Sequence, residues 1–339
     1  MTSPAHGMIA IHGAGSIGCY VGARLAVNAP VRYIGRERMF RRLREHGLTV
    51  SDYQGHRYRF DGHALDLHTD PAAAADASLV LVCVKSAATA EAARELAEVL
   101  QPGALVISLQ NGLHNADVLR EGLSHCTVLA GMVPFNVVQR APGAFHQASS
   151  GELMVQSHPA IDAWLPVFAS AGLPLQPRDD MAAVQHAKLL LNLNNAINAL
   201  SNLPLRDELS RRGWRRCVAL AQREALDVFR VAGLPVAKLT PLPPTWMPRV
   251  LELPDAIFGR IASRMLAIDP LARSSTWDDL QAGKRTEVDY INGEVVKLAA
   301  AKGRLAPVNA KLCALIHEAE EAPRRWTDMA LLAELRSAI

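Results

Sequence analysis

The chain has 339 residues, half hydrophobic and a fifth charged, with 36 Lys and Arg against 33 Asp and Glu for a formal net charge of +3. That length suits one large or two ordinary domains, and so small a charge argues against nucleic acid or an anionic membrane as partner. Five cysteines without CxxC spacing, no signal-peptide pattern and no run of about 18 apolar residues point to a soluble protein of the reducing cytoplasm, without a disulfide framework, zinc site or membrane span.

Residues 8–12 (MIAIH) form a short apolar run that reads as a strand. It ends at Gly13-Ala14-Gly15-Ser16-Ile17-Gly18, and residues 19–27 then read as a helix. Strand, GxGxxG and helix in that order cradle a dinucleotide. The first glycine permits the tight turn, the second lets backbone approach a pyrophosphate, and the third allows close helix–strand packing. The helix N-terminus adds free N–H groups and partial positive charge. The second strand, 31–34, leads into Gly35-Arg36-Glu37-Arg38. An acidic residue here would suit the ribose 2′-hydroxyl of NAD. Arg36 suits a 2′-phosphate, held by a forked, charge-assisted pair of bonds, and so argues for NADP (NADPH).

Residues 48–70 alternate polar and apolar with turn signals, like short strands inserted into the wound sheet. A buried-strand run at 79–84 is followed by Lys85-Ser86 and an alanine-rich helix to residue 100. The next strand, 104–109, ends in Gln110-Asn111-Gly112. Ligands of doubly wound sheets lie beyond the carboxyl ends of the strands, which makes Lys85 and Asn111 candidates. Strands are expected at 127–138, 152–156 and 173–176, with a helix at 160–171. The alternation stops there, and the chain beyond residue 181 reads almost wholly helical. The expected architecture is a doubly wound α/β domain over 1–180 and an all-helical domain over 181–339, with a small-molecule site in the cleft between them.

Residues 185–200, QHAKLLLNLNNAINAL, read as a buried amphipathic helix opening the second domain. At about 100° per residue Lys188, Asn192 and Asn195 share a stripe, and Asn198 lies about 80° to its side. Buried amides left unpaired cost roughly 1–3 kcal/mol each. Either these asparagines bond neighbouring carbonyls or water, or they wall a polar pocket in which Lys188 gives a proton. Residues 205–231 read as a long helix of alternating charge. The six prolines of 235–254 forbid continuous helix and suggest an ordered loop or cover. Further on stand Ser274-Ser275-Thr276-Trp277-Asp278-Asp279-Leu280 and Thr286-Glu287-Val288-Asp289-Tyr290-Ile291-Asn292-Gly293. There Val288, Ile291, Val295 and Leu298 make an apolar helical stripe with Glu287 at its edge. The amphipathic tail 323–339 suits packing on the body or the interface of a homodimer.

In their order and spacing these motifs resemble the ketopantoate reductase (2-dehydropantoate 2-reductase) family over nearly the whole chain. They are GAGSIG at 13–18, the arginine after strand two, VCVK ending at Lys85, QNG at 110–112, KLLLN at 188–192, SS then DD at 274–279, and TEVDYING at 286–293. The resemblance implies an N-terminal Rossmann domain, a C-terminal helical domain, NADPH as cofactor, and reduction of 2-dehydropantoate to (R)-pantoate on the way to pantothenate and coenzyme A. It also implies Lys188 as general acid, with Glu287 beside it and the cofactor. Lys85 falls on the cofactor side, Asn111 where nicotinamide and substrate meet, Asn192 on the substrate, and Ser275 on its carboxylate. The family pattern N-x-x-x-N-P-L-T runs here as NLNNAINALSN, two residues longer. Asn198 fits the second asparagine by motif and Asn195 by helical face. A related reductase of another keto acid, and a dinucleotide-sensing protein without catalysis, are the alternative readings.

Overall fold

This computed structural model describes residues 7–261, 269 and 272–339. Their contacts divide the chain into two units, Met1–Met181 and Ala182–Ile339.

The N-terminal unit runs β1 (Met8–His12), α1 (Ser16–Leu25), β2 (Val31–Ile34), α2 (Glu37–His46), β3 (Leu48–Asp52), β4 (Arg57–Phe60), β5 (Asp66–His68), β6 (Ala77–Val82) and α3 (Thr89–Ala97). It continues with β7 (Leu105–Ser108), α4 (Asn115–Gly122), β8 (Thr127–Met132), β9 (Val137–Ala141), β10 (Ala144–Gln147), β11 (Leu153–Gln156), α5 (Leu165–Ser170) and β12 (Leu175–Arg178). Eight strands form the main sheet in the order β12-β11-β8-β7-β6-β1-β2-β5. From β5 to β8 every pairing is parallel, and β11 enters antiparallel to β8. The order reverses between β1 and β6, which is the switch point of a doubly wound sheet.

Both faces of the main sheet are covered, which is why its central strands are apolar runs with no polar alternation. Ile9, Ile11, Leu79, Leu81 and Ile107 pack on the α1 side. Ala10, Val80, Val82 and Val106 pack on Ala93, Leu96 and Leu119 of α3 and α4.

The strands expected at 48–70 divide differently from the sequence reading. Only β5 joins the main sheet, pairing with β2. The β3–β4 hairpin builds a separate four-stranded sheet, β4-β3-β10-β9, in which β3 pairs parallel with β10. Leu48, Val50 and Phe145 of this sheet are buried in the same core as Tyr20, Val21 and Ala23 of α1. A buried Arg24–Asp52 ion pair at 3.0 Å and a Tyr20–Gln147 hydrogen bond at 2.6 Å tie it to α1. The expected 127–138 strand is likewise two strands, one in each sheet.

Among its described residues the C-terminal unit is all helix. It comprises α6 (Met181–Asn192), α7 (Asn194–Ser201), α8 (Leu205–Ser210), α9 (Arg212–Ala232), α10 (Met247–Leu251), α11 (Asp255–Ile261), α12 (Ser275–Gln281), α13 (Val288–Ala300), α14 (Pro307–Glu321) and α15 (Asp328–Ser337). The single helix expected at 185–200 is two, with Leu193 between them. Leu193 keeps helical dihedrals (φ −57°, ψ −21°) and its N–H still donates to Leu189 O at 3.1 Å, so the chain stays helical across the junction. The helix expected at 205–231 is also two, broken at Arg211. The proline-rich segment holds one short helix, α10, and is anchored by Arg215. That guanidinium is fully buried and donates to the carbonyls of Leu209, Leu251 and Leu253 at 3.0, 2.9 and 2.6 Å. In the tail, Leu331, Leu332 and Leu335 of α15 are buried, and the helix packs on α9.

Candidate functional site

In the N-terminal unit the glycine loop between β1 and α1 has three differently placed glycines. Gly13 sits at φ +110°, where a side chain is strained, and a Cβ there would come 2.6 Å from Val84 N. A Cβ on Gly18 would lie 2.1 Å from Gly13 O, so α1 closes directly on the turn. Gly15 is exposed, and a Cβ added to it would meet nothing within 4 Å. The outer glycines therefore hold the turn, and the middle one keeps open the face that a pyrophosphate approaches. Ala14 is buried, Ser16 and Ile17 open α1, and that helix has no acidic residue in its first turn. Nothing there opposes an anion at its partial positive charge. The loop fits a dinucleotide.

Arg36 follows β2 as the exposed N-cap residue of α2. Gly35 before it packs on the loop, with its Cβ position 3.1 Å from that of Ala14. Arg36 thus directly follows the residue that packs against the glycine turn. Glu37, the neighbouring acid, is held at 2.8 Å by Arg44.

Lys85 is exposed at the end of β6, where a short 3-10 turn begins, and Asn111 is half-buried just past β7. A polar network missed in the sequence reading connects these two ends. Ser86 Oγ donates to Asn111 O at 2.9 Å, and Asn115 Nδ2 donates to both Asn111 O and Ser86 Oγ. Gln110 Nε2 donates to Val84 O at 3.1 Å and to Thr89 Oγ1 at 2.7 Å. The run Gln110-Asn111-Gly112 signalled a strand end with polar content. The sequence did not show that the Gln110 side chain braces Val84 and Thr89 while the Asn111 carbonyl receives Ser86 and Asn115.

In the C-terminal unit, Lys188 and Asn192 stand one turn apart on α6. Burial of the Lys188 amine pulls its pKa down to about 8, because a charged ammonium is disfavoured away from water. Asn192 ends α6 and is nearly buried, and Asn195 lies half-buried in the first turn of α7. Asn198 differs from both. It is fully buried, its Oδ1 accepts from Ser274 N at 2.8 Å, and its Nδ2 donates to Leu203 O at 3.0 Å and Glu208 Oε2 at 2.5 Å. Both ends of the Asn198 amide are thus engaged inside the unit, and Asn195 is the less buried of the two.

Ser275 is exposed in the first turn of α12. Ser274, which the sequence reading passed over, is the N-cap. Its Oγ accepts from Trp277 N at 3.2 Å and donates to Asn195 O at 3.0 Å. The start of α12 is thereby tied to both Asn195 and Asn198. Glu287 is the half-buried residue preceding α13, and Thr286 beside it donates twice to Glu320 Oε1 at 2.8 Å. No cluster of three or more metal-ligating side chains occurs among the described residues.

Comparison with known proteins gives the family and the fold. The family model described as Ketopantoate reductase PanE/ApbA matches residues 9–160, and its C-terminal counterpart matches 180–320. A 2-dehydropantoate 2-reductase of Halobacterium salinarum is 31% identical over 320 residues, spanning 92% of this chain and 98% of that one. The crystal structure of a PanE/ApbA family ketopantoate reductase from Ralstonia eutropha JMP134 superimposes with a TM-score of 0.78 at 31% identity, covering 93% of this chain and 99% of the other. A ternary structure of D-mandelate dehydrogenase with NADH and anilino(oxo)acetate has a TM-score of 0.76 at 19% identity, covering 93% and 99%, which speaks for the shared fold alone.

Proposed function

Because this chain belongs to the ketopantoate reductase family of oxidoreductases, we propose that it reduces a 2-keto acid, 2-dehydropantoate foremost, to the 2-hydroxy acid with NADPH. The product would then be (R)-pantoate, for pantothenate and coenzyme A synthesis in the cytoplasm. The observation that carries the reading is Lys188, a half-buried lysine whose pKa desolvation lowers to about 8, one helical turn from Asn192. At neutral pH such an amine is mostly protonated yet gives its proton up readily, which suits a general acid.

A bound nicotinamide supplies the hydride. The chain's own residues supply the rest. The glycine turn at 13–18 and the head of α1 hold the pyrophosphate, Arg36 pairs with a 2′-phosphate, and Lys85 and Asn111 stand at the strand ends beside the cofactor. The Lys188 ammonium stabilises negative charge growing on the carbonyl oxygen and then protonates it. Asn192 and Asn195 bond the substrate's hydroxyl and carbonyl, Ser275 its carboxylate, and Glu287 orients the lysine and keeps it charged.

The test is NADPH oxidation, followed by absorbance, with 2-dehydropantoate and with a panel of other 2-keto acids, NADH in parallel. Fast turnover selective for NADPH and 2-dehydropantoate, lost in Lys188→Ala while NADPH still binds, is the expected result. Intact turnover in Lys188→Ala would overturn the assignment. Faster turnover of another keto acid would keep the chemistry and change the substrate.

A further inference from the structure

Glu208 lies on α8 in a run of charges, Arg206-Asp207-Glu208, yet it is fully buried, with 0% of its surface exposed. Among the described residues it has no cationic partner. Its Oε2 accepts from Asn198 Nδ2 at 2.5 Å, and the Asn194 side chain adjoins the carboxyl. Asn198 in turn receives Ser274 N at 2.8 Å, and Ser274 Oγ caps α12 and binds Asn195 O. The chain of contacts thus runs from a buried carboxyl, through one amide, to the two elements that present Asn195 and Ser275.

We propose that Glu208 is a positioning residue for the keto-acid substrate: its carboxyl fixes Asn198, and Asn198 fixes the Ser274–Ser275 start of α12 against α7. This rests on the reading of Ser275 and Asn195 as substrate contacts. Two buried oxygens in the network, Glu208 Oε1 and Asn194 Oδ1, have no hydrogen-bond partner. A fully buried carboxylate with no cation beside it and one oxygen without a donor is costly, and a proton on that oxygen removes the charge, so Glu208 is held as the neutral acid. Burial supports this, raising its pKa to about 8, as desolvation of an unpaired carboxylate requires. A neutral acid here offers one donor and one acceptor, and a glutamine offers the same pair.

The experiment compares Glu208→Ala, Glu208→Gln and Ser275→Ala in the full chain, measuring kcat, KM for the keto acid and NADPH affinity. Glu208→Ala should raise KM roughly tenfold, about 1.4 kcal/mol of substrate binding, with kcat changed far less and NADPH affinity unchanged. Glu208→Gln should restore KM to near wild type. If Glu208→Ala does not fold, Glu208→Leu keeps the volume, loses the bonds, and carries the same expectation. A raised KM in Ser275→Ala with none in Glu208→Ala overturns this inference alone. So does a glutamine variant as impaired as the alanine. An unchanged KM in Ser275→Ala overturns the substrate reading on which the inference depends.

Discussion

Titration of Lys188 offers the sharpest test of the chemistry. An ordinary lysine titrates near 10.4, whereas burial brings this one to about 8. The difference corresponds to about 3 kcal/mol against the charged form. Reduction needs the ammonium, so kcat/KM for the keto acid should be level near neutrality, halve at about pH 8, and fall about tenfold for each further pH unit. Oxidation of the hydroxy acid needs the neutral amine, so its rate should rise through the same midpoint. Both limbs can be read from nicotinamide absorbance in stopped-flow traces at saturating cofactor. Lys188→Gln should lose roughly 10²–10⁴ in rate and both limbs. Lys188→Arg, which stays charged throughout, should lose the alkaline fall. An alkaline limb in the range of a free lysine, or the same limb persisting in the glutamine variant, would refute the reasoning.

Arg36→Ala should weaken NADPH binding roughly 10- to 100-fold, the worth of charge-assisted hydrogen bonds of about 1.5–3 kcal/mol, and leave NADH nearly unchanged in a fluorescence titration; equal losses would remove the 2′-phosphate role. Gly15→Ala should melt like the parent, since its Cβ meets nothing within 4 Å, but bind the dinucleotide at least about tenfold more weakly. Gly18→Ala should lower the melting temperature instead, because its Cβ falls 2.1 Å from Gly13 O. The pair fails if both variants bind and melt alike. Arg215→Met should destabilise the C-terminal unit by about 3–5 kcal/mol in denaturant, as it strips the Leu209, Leu251 and Leu253 carbonyls of their donor. A loss below about 1 kcal/mol would show that those carbonyls find other partners.

What the sequence disclosed and what it concealed follow from the range of the interactions involved. The glycine turn, the buried parallel strands and the change to helix are local patterns, and residues 8–34 read directly as strand, turn, helix and strand. The four-stranded sheet was not legible, because the alternation of residues 48–52 states which side is buried but not which strand it meets. Its partner at 144–147 lies far along the chain. In the 185–200 segment the two extra residues were visible, while the division into two helices at Leu193 was not. The charged stretch 205–216 concealed most. Glu208 and Arg215 are fully buried while Arg206 and Arg212 are exposed, and nothing in their spacing separates them. Asn198 fits the family pattern by motif alone. Its commitment to Ser274 and Glu208 depends on contacts 76 and 10 residues distant.

The parallel pairing of β3 with β10, Thr49 against Ala144, also bears on how the chain matures during synthesis. At about 5–20 residues per second, the 48–60 hairpin leaves the ribosome on the order of 5–20 s before its neighbour exists. It waits through that interval with one edge unpaired, while β1, β2 and β6 already have each other. Pulse-labelled hydrogen exchange should accordingly find the Thr49 amide, which donates to Gly143 O, protected later than those of Ile9 and Ile11. Simultaneous protection would mean that the hairpin docks on α1 without its partner strand.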